Sequence, residues 1–322
     1  MSQRQSRFLV RTSGSSGKKF KFILHDPLLF IKKYQRIGNH FQKTFAFSPA
    51  ESIAGIETLL ETVGHGNELV CAGDRVSPRT VSDLVQKYQI DYFQTTPTFL
   101  NLWMMSGELR PEKLGSLKKI AFGSEPPQRV VLNFLREKLP GIQLVHTYGM
   151  SEIGIQKTLT CVEDPTLLLL DEHFNPGRLN EGMIEVQSLT PMISYLNHPT
   201  EESPWFKTLD QAVEEKNFWR VKGRNSDMIN LAGRKFFPIE LEEILMDLPG
   251  ILDVSVAREE NEIIGNIIVA TITISPDENE ADFRKSLKSF CHERVPFYMH
   301  PQKVFLKKEI PMNPRFKKIR TI

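Results

Sequence analysis

Cysteine is scarce in this 322-residue chain. Cys71, Cys161 and Cys291 lie far apart, and no C-x-x-C or Cys/His metal spacing occurs. That excludes a disulfide framework, and the thiols read as reduced and structural, as in a cytoplasmic protein. Long apolar runs are also missing. A bilayer span needs roughly 18 apolar residues, whereas the longest run here, Thr166 to Leu170, is the size of a strand. The opening MSQRQSRFLVRTSG lacks the apolar centre of a signal peptide. No charge of one sign prevails: 41 Lys and Arg against 39 Asp and Glu leave a net charge of +2. That balance gives no general argument for a nucleic-acid or membrane partner. There is no internal repeat and no low-complexity tract. The chain is therefore expected to be soluble and cytoplasmic.

What is present is enough for a core. Hydrophobic residues make up 40% of the chain, and its length suggests roughly two domains. Phe8-Leu9-Val10 reads as a strand that runs into the small-residue turn Thr12-Ser13-Gly14-Ser15-Ser16-Gly17. Helical spacing is read from about Pro27 to Thr44 and again from Ser52 to Val63. Strands at 68–72, 92–95, 119–122 and 143–146 then alternate with helices at 78–88, 98–105 and 128–138. That rhythm predicts a layered α/β sheet. From about Cys161 to Val221 short alternating strands replace it, as in a small β-rich subdomain. Gly223-Arg224-Asn225-Ser226 is the boundary candidate, which gives domains over 1–224 and 225–322. The second contains a helix starting after Pro238, two long strands, a helix over 280–293 and a last strand near 303–306.

Four segments carry groups suited to chemistry. Thr12 to Lys19 joins glycines, hydroxyls and lysines that can surround phosphate oxygens, although the G-x-x-x-x-G-K-[ST] spacing is absent. His146-Thr147-Tyr148-Gly149-Met150-Ser151-Glu152 places an aromatic, a hydroxyl and a carboxylate just after a strand. These are groups for a base, a phosphate and Mg²⁺. Thr208-Leu209-Asp210 followed by Gly223-Arg224 offers an acid for ribose hydroxyls and a guanidinium for an oxygen cluster. Pro311 to Arg320 is basic. Read singly, each is also a flexible loop, a satisfied loop or a solvated tail.

Together and in this order they resemble the adenylate-forming family of acyl-CoA synthetases, aryl-CoA ligases, luciferases and peptide-synthetase adenylation domains. Thr12, Ser13, Gly14, Ser15, Ser16 and Gly17 look like its phosphate loop, and Ser124, Glu125 and Pro126 like its adenine-contact turn. Tyr148 to Glu152 matches Y-G-x-T-E with serine for threonine, and Thr208 to Asp210 matches T-G-D with Leu209 for glycine. Gly223 to Asp227 matches the hinge motif, and the loop at Gly233 looks like the one used in the second half-reaction. Pro311 to Arg320 resembles P-x-T-x-x-G-K-x-x-R, with Phe316 in place of the glycine before Lys317.

The resemblance implies a large α/β domain, a β-rich subdomain and a small mobile α+β C-terminal domain. It implies ATP and Mg²⁺, and CoA or a phosphopantetheine arm as acceptor. Lys317 would be the catalytic lysine and Glu152 the metal ligand. Ser13, Ser15 and Ser16 would grip the β- and γ-phosphates and Ser151 the α-phosphate. Tyr148 would stack on adenine, Asp210 would hold the ribose near Arg224, and Ser226 would be the hinge. Ser52, Phe122, Gly149 and Ile153 would line the acid pocket. No aspartate stands where amino-acid-activating members hold the substrate amine, which points to a plain aryl or aliphatic acid. The family's phosphate loop ends in Pro-Lys, where this chain has Lys19-Phe20, so Lys19 or Lys21 is the candidate for that charge. Only about ten residues precede the loop, against a long segment in the family, so a homodimer or a partner is expected to cover the region. The acceptor could also be a carrier protein or an amine, and a non-catalytic scaffold is the reading from outside enzymology. Joint retention of Glu152, Asp210, Arg224 and Lys317 argues against the scaffold, which needs none of them.

Overall fold

The computed structural model describes residues 6–13, 20–35, 42–73, 76–200, 203–231, 233–261, 265–310, 312–313 and 316–318. It is a mixed α/β structure. β1 (Phe8–Ser13) and β2 (Phe20–His25) pair antiparallel, with Ser13 opposite Phe20. α1 (Pro27–Tyr34), β3 (Lys43–Ala46), α2 (Ile53–Gly64), β4 (Glu68–Cys71), α3 (Pro78–Tyr88), β5 (Tyr92–Thr95) and α4 (Pro97–Met105) follow. Next come the short α5 (Pro111–Leu114), β6 (Lys119–Phe122), α6 (Arg129–Lys138) and β7 (Gln143–His146). The helices begin where the sequence supplies stops and caps. Asp26, Ser77 and Thr96 each cap a helix whose first turn holds proline.

The parallel sheet has the order β4-β3-β5-β6-β7. Phe45, Phe93, Phe99, Trp103, Ile120 and Phe122 are wholly buried in its core. This corrects the helical reading of 27–44. The helix stops at Tyr34, and Lys43–Ala46 is a strand between β4 and β5. Thr44 and Phe45 are the β-branched and aromatic types that fit a sheet interior, and four residues are too few to outvote a helix-period window. The carboxyl ends of β3, β5, β6 and β7 lead into Ser52, Thr96, Ser124 and Tyr148 respectively. That edge is where open α/β sheets bind ligands.

β8 (Tyr148–Met150) and β9 (Gly154–Gln156) form a hairpin. β10 (Thr158–Thr160), β11 (Leu168–Leu170), β12 (Gly177–Asn180) and β13 (Met183–Val186) lead to the two-residue β14 (Ser194–Tyr195), β15 (Phe206–Glu215) and β16 (Phe218–Arg224). The β-rich part is a six-stranded sheet of order β10-β11-β16-β15-β13-β12. β14 joins β2 instead, making the three-stranded β1-β2-β14.

After a single 3₁₀ turn at Asn225–Asp227, β17 (Ile229–Leu231) and β18 (Arg234–Phe236) pair, and α7 (Pro238–Leu245) follows. β19 (Ile251–Asn261), β20 (Gly265–Ile274), α8 (Glu280–Arg294) and β21 (Lys303–Lys307) build a three-stranded sheet with its own apolar cluster, including Leu241, Val254, Ile272 and Phe283. Among the described residues no helix is long and apolar enough to cross a membrane.

Two buried histidines make stability depend on pH. His146 stacks on Phe122 at 5.1 Å, and His25 Nε2 donates to the Ser151 carbonyl at 2.8 Å. Burial lowers each from 6.5 to about 4, opposed at His25 by the Ser151 bond and at His146 by the Thr166 backbone and the Asp164 charge. Above pH 6.5 both folded and unfolded chains hold neutral imidazole. Between 6.5 and about 4 the unfolded chain binds protons that the folded chain refuses, so stability falls as pH falls. At about pH 5 the loss is on the order of 2 kcal/mol per histidine. Urea unfolding of wild type and His146→Asn at about pH 7 and about pH 5 checks this, and an equal drop in both proteins would contradict it.

Candidate functional site

Tyr148, Asp210 and Arg224 come together from β8, β15 and β16. Asp210 and Arg224 are cross-strand partners, with Arg224 Nε 3.5 Å from Asp210 Oδ1. The Tyr148 hydroxyl donates to Asp210 Oδ2 at 2.7 Å. Burial raises the Asp210 pKa, opposed first by the Tyr148 bond and then by the Arg224 charge. The phenol of Tyr148 is pushed well above its usual range by burial and by the Asp210 charge. The result is a half-buried acceptor between a hydroxyl and a guanidinium, a set suited to a diol.

Glu152 lies in the turn of the β8–β9 hairpin, with Ser151 and Ile153. The Tyr195 hydroxyl donates to Glu152 Oε1 at 2.9 Å, and Lys21 Nζ sits 4.9 Å from the Tyr195 ring centre. Lys21 is thereby brought to the Glu152 side of the site, whereas Lys19 lies outside the described residues. Phe20 is under the Arg11 guanidinium, 4.7 Å from its carbon. The hairpin is tight. A Cβ at Gly149 would meet the Gly154 carbonyl oxygen at 2.5 Å, and Gly154 has φ +72°. Among the described residues no group of three His, Cys, Asp or Glu side chains could hold a metal ion. A Mg²⁺ that arrives on phosphates needs only one or two carboxylates, and Glu152, fixed by Tyr195, fits that role.

Ser124, Glu125 and Pro126 follow β6, and Ser124 takes φ +72°. The Glu125 carboxylate accepts from Thr98 Oγ1 at 2.6 Å and from the Lys318 backbone N–H at 2.7 Å. The segment that carries Lys317 is thus seated on this turn. The Lys317 N–H donates to Asn313 Oδ1 at 3.1 Å, the Asn313 N–H returns to the Lys317 carbonyl at 3.0 Å, and Met312 bridges Lys318. Leu209 and Phe316, where the resemblance places glycines, have φ +64° and +52°. A left-handed residue with a side chain costs about 1–2 kcal/mol. Both turns therefore keep a glycine-type backbone under strain, as site loops do.

Of the remaining sequence candidates, Thr12 and Ser13 end β1, and Gly14, Ser15, Ser16 and Gly17 lie outside the described residues. Ser52 is an N-cap: its Oγ accepts from Gly55 N–H at 3.1 Å and donates to the Pro49 carbonyl at 2.7 Å. Phe122 and Ile153 are wholly buried in two different clusters, Phe122 against His146. Ser226 is exposed in the 3₁₀ turn with its hydroxyl on Asp227 Oδ1, and Gly233 is exposed with φ +86°. Sequence reasoning missed Tyr195, Thr96 and Asp253. Thr96-Pro97 carried a visible helix-start signal, whereas Tyr195 and Asp253 carried none.

A family model described as AMP-binding enzyme matches residues 7–173, and one described as AMP-binding enzyme C-terminal domain matches residues 240–317. The chain is 25% identical over 264 residues to 4-coumarate-CoA ligase 1 of Narcissus pseudonarcissus, covering 74% of this chain and 48% of that one. It is 28% identical over 298 residues to a long-chain-fatty-acid–CoA ligase of Mycobacterium tuberculosis, covering 85% and 57%. The chain thus spans about half the length of the curated relatives it matches. The crystal structure of the anthranilate CoA ligase AuaEII in complex with anthranoyl-AMP shares the fold, with a TM-score of 0.83, 19% identity, and coverage of 98% of this chain and 66% of that one.

Proposed function

Because the chain belongs to the AMP-binding, adenylate-forming enzyme family, we propose that it activates a carboxylic acid with ATP and passes the acyl group to a thiol. The carrying observation is the seating of the Lys317 segment on the Ser124–Glu125 turn through the 2.7 Å bond from Lys318 N–H to Glu125. That bond brings residues 316–318 to the turn after β6, at the carboxyl edge of the parallel sheet. In the first step a carboxylate oxygen of the acid attacks the α-phosphorus of ATP. The bond from that phosphorus to the β-phosphate oxygen breaks, and pyrophosphate leaves. Lys317 neutralises charge on the carboxylate and α-phosphate oxygens. Asp210 accepts from the ribose hydroxyls, and Arg224 and Tyr148 fix its carboxylate. Glu152 would hold Mg²⁺, and the ion would supply positive charge against the phosphates.

The thiol then attacks the acyl carbon and AMP leaves. Relatives named as CoA ligases favour CoA over a carrier-protein arm, and their aryl and fatty acids favour a plain aryl or aliphatic substrate. Acid-dependent ATP–pyrophosphate exchange across a panel of such acids tests the reading. Exchange with at least one acid is expected, and no exchange with any acid together with no ATP binding overturns it. Adding CoA or a phosphopantetheinylated carrier then identifies the acceptor. Asp210→Asn is expected to weaken ATP binding by roughly ten- to a hundredfold, the value of losing hydrogen bonds to a charged acceptor. Titration calorimetry with ATP reads this, and unchanged affinity would remove Asp210 from the ribose role.

A further inference from the structure

We propose that Phe316 is a positioning residue: its ring anchors the Lys317 segment in an aromatic socket of the five-stranded sheet and slows withdrawal of Lys317 from the site. The consequence for catalysis rests on the proposed two-step reaction. The ring lies 5.4 Å from Phe47 and 5.2 Å, edge on, from Phe99, both buried in that sheet's core. The Phe316 carbonyl accepts from Thr96 Oγ1 at 2.5 Å. Thr96 also caps α4, so the contact reaches a rigid helix start. Two residues on, Lys318 Nζ pairs with the buried Asp253 at 2.9 Å, and Asp253 accepts from Gln128 Nε2 at 2.8 Å. The segment is therefore held by an apolar plug, a hydroxyl bond and a buried ion pair that itself bonds back to the sheet layer.

A glycine at 316 would adopt φ +52° freely but fill no socket. The chain instead accepts a strained backbone at this position and gains an aromatic contact between two parts of the fold. Pairs of aromatic rings at these separations attract beyond their buried area. The resemblance implies that the mobile C-terminal domain withdraws Lys317 for the second step, and such a plug would slow that withdrawal. Retention favours acid activation over hand-over to the thiol.

Hydrogen–deuterium exchange of the intact chain, without ligands, tests the anchor. In Phe316→Gly the amides at 316–318 are expected to exchange about tenfold faster, the scale of losing a half-buried phenyl contact, while those of β19 and β20 hold their rates. Phe316→Leu, which refills the socket, is expected to restore most of the protection. Equal exchange in wild type and Phe316→Gly overturns the anchor. The catalytic arm compares transfer from supplied acyl-AMP with pyrophosphate exchange. Their ratio is expected to rise about tenfold in Phe316→Gly, and an unchanged ratio overturns the slowing of withdrawal. If wild type shows no exchange with any acid, the functional reading fails while the hydrogen-exchange result still decides the anchor.

Discussion

Lys317→Ala lowers acid-dependent ATP–pyrophosphate exchange by about a hundred- to a thousandfold, the usual loss when a donor aimed at developing oxyanion charge is removed. Lys317 lies in a turn closed by reciprocal bonds with Asn313 and fastened at Glu125 and Thr96. These bonds hold its backbone in place. The alanine variant is expected to keep them and to lose the charge. An ammonium on a flexible stem acts as a point charge, so Lys317→Arg is expected to recover little. Thioester formation from supplied acyl-AMP needs no pyrophosphate departure and is expected to fall far less. Single-turnover assays of the two steps separate these outcomes. Equal losses in both would contradict a role confined to the first.

The second large effect is on stability and centres on Glu57. It sits on α2 with no exposure, and its carboxylate accepts from Lys33 Nζ at 2.5 Å, from the Ile155 backbone N–H at 2.6 Å and from the Tyr34 hydroxyl. Lys33 also donates to the Ile155 carbonyl. Glu57→Ala strands an ammonium, a phenol and a strand amide in a largely buried site, which costs about 3–5 kcal/mol. Against a typical total of about 5–15 kcal/mol, that is a large share. Thermal and urea unfolding measure it. The double variant Lys33→Met, Glu57→Leu is expected to lose much less, because it removes both charges together. A single-variant loss below about 1 kcal/mol would mean the cluster is already hydrated. The cluster also bears on the site. It grips the β9 edge of the hairpin whose turn holds Glu152, so ATP affinity is expected to fall with stability in Glu57→Ala.

What the sequence made legible was local. Asp210, Arg224, Tyr148, Glu152 and Lys317 stand in short motifs that carry the family resemblance as an ordered set, and the α/β alternation shows in apolar spacing. The helix over 78–88 was read from the spacing of Val81, Leu84, Val85 and Tyr88, and the one read from 98 starts a residue earlier, at Pro97 after the Thr96 cap. β3 was hidden because Lys43–Ala46 is short and follows a genuine helix, so period-2 and period-3.6 readings compete over too few residues. The pairing of Tyr195 with Glu152 spans 43 positions and that of Thr96 with Phe316 spans 220, and neither leaves a periodic trace. Ser52 and Phe122 show the opposite limit. Their motif positions suggested a pocket, but a serine before a helix is drawn to its N-cap, and a phenylalanine at a central strand's end is drawn into the core.

The central claim is that the acid becomes joined to AMP through one of its own oxygens. The direct measurement supplies an acid labelled with ¹⁸O in its carboxylate, together with ATP, Mg²⁺ and CoA, and determines the mass of the AMP formed. Attack of that oxygen on the α-phosphorus, followed by thiol attack at the acyl carbon, leaves one labelled oxygen on each AMP. AMP carrying one ¹⁸O is the predicted result, and unlabelled AMP, or label in inorganic phosphate instead, would contradict the account.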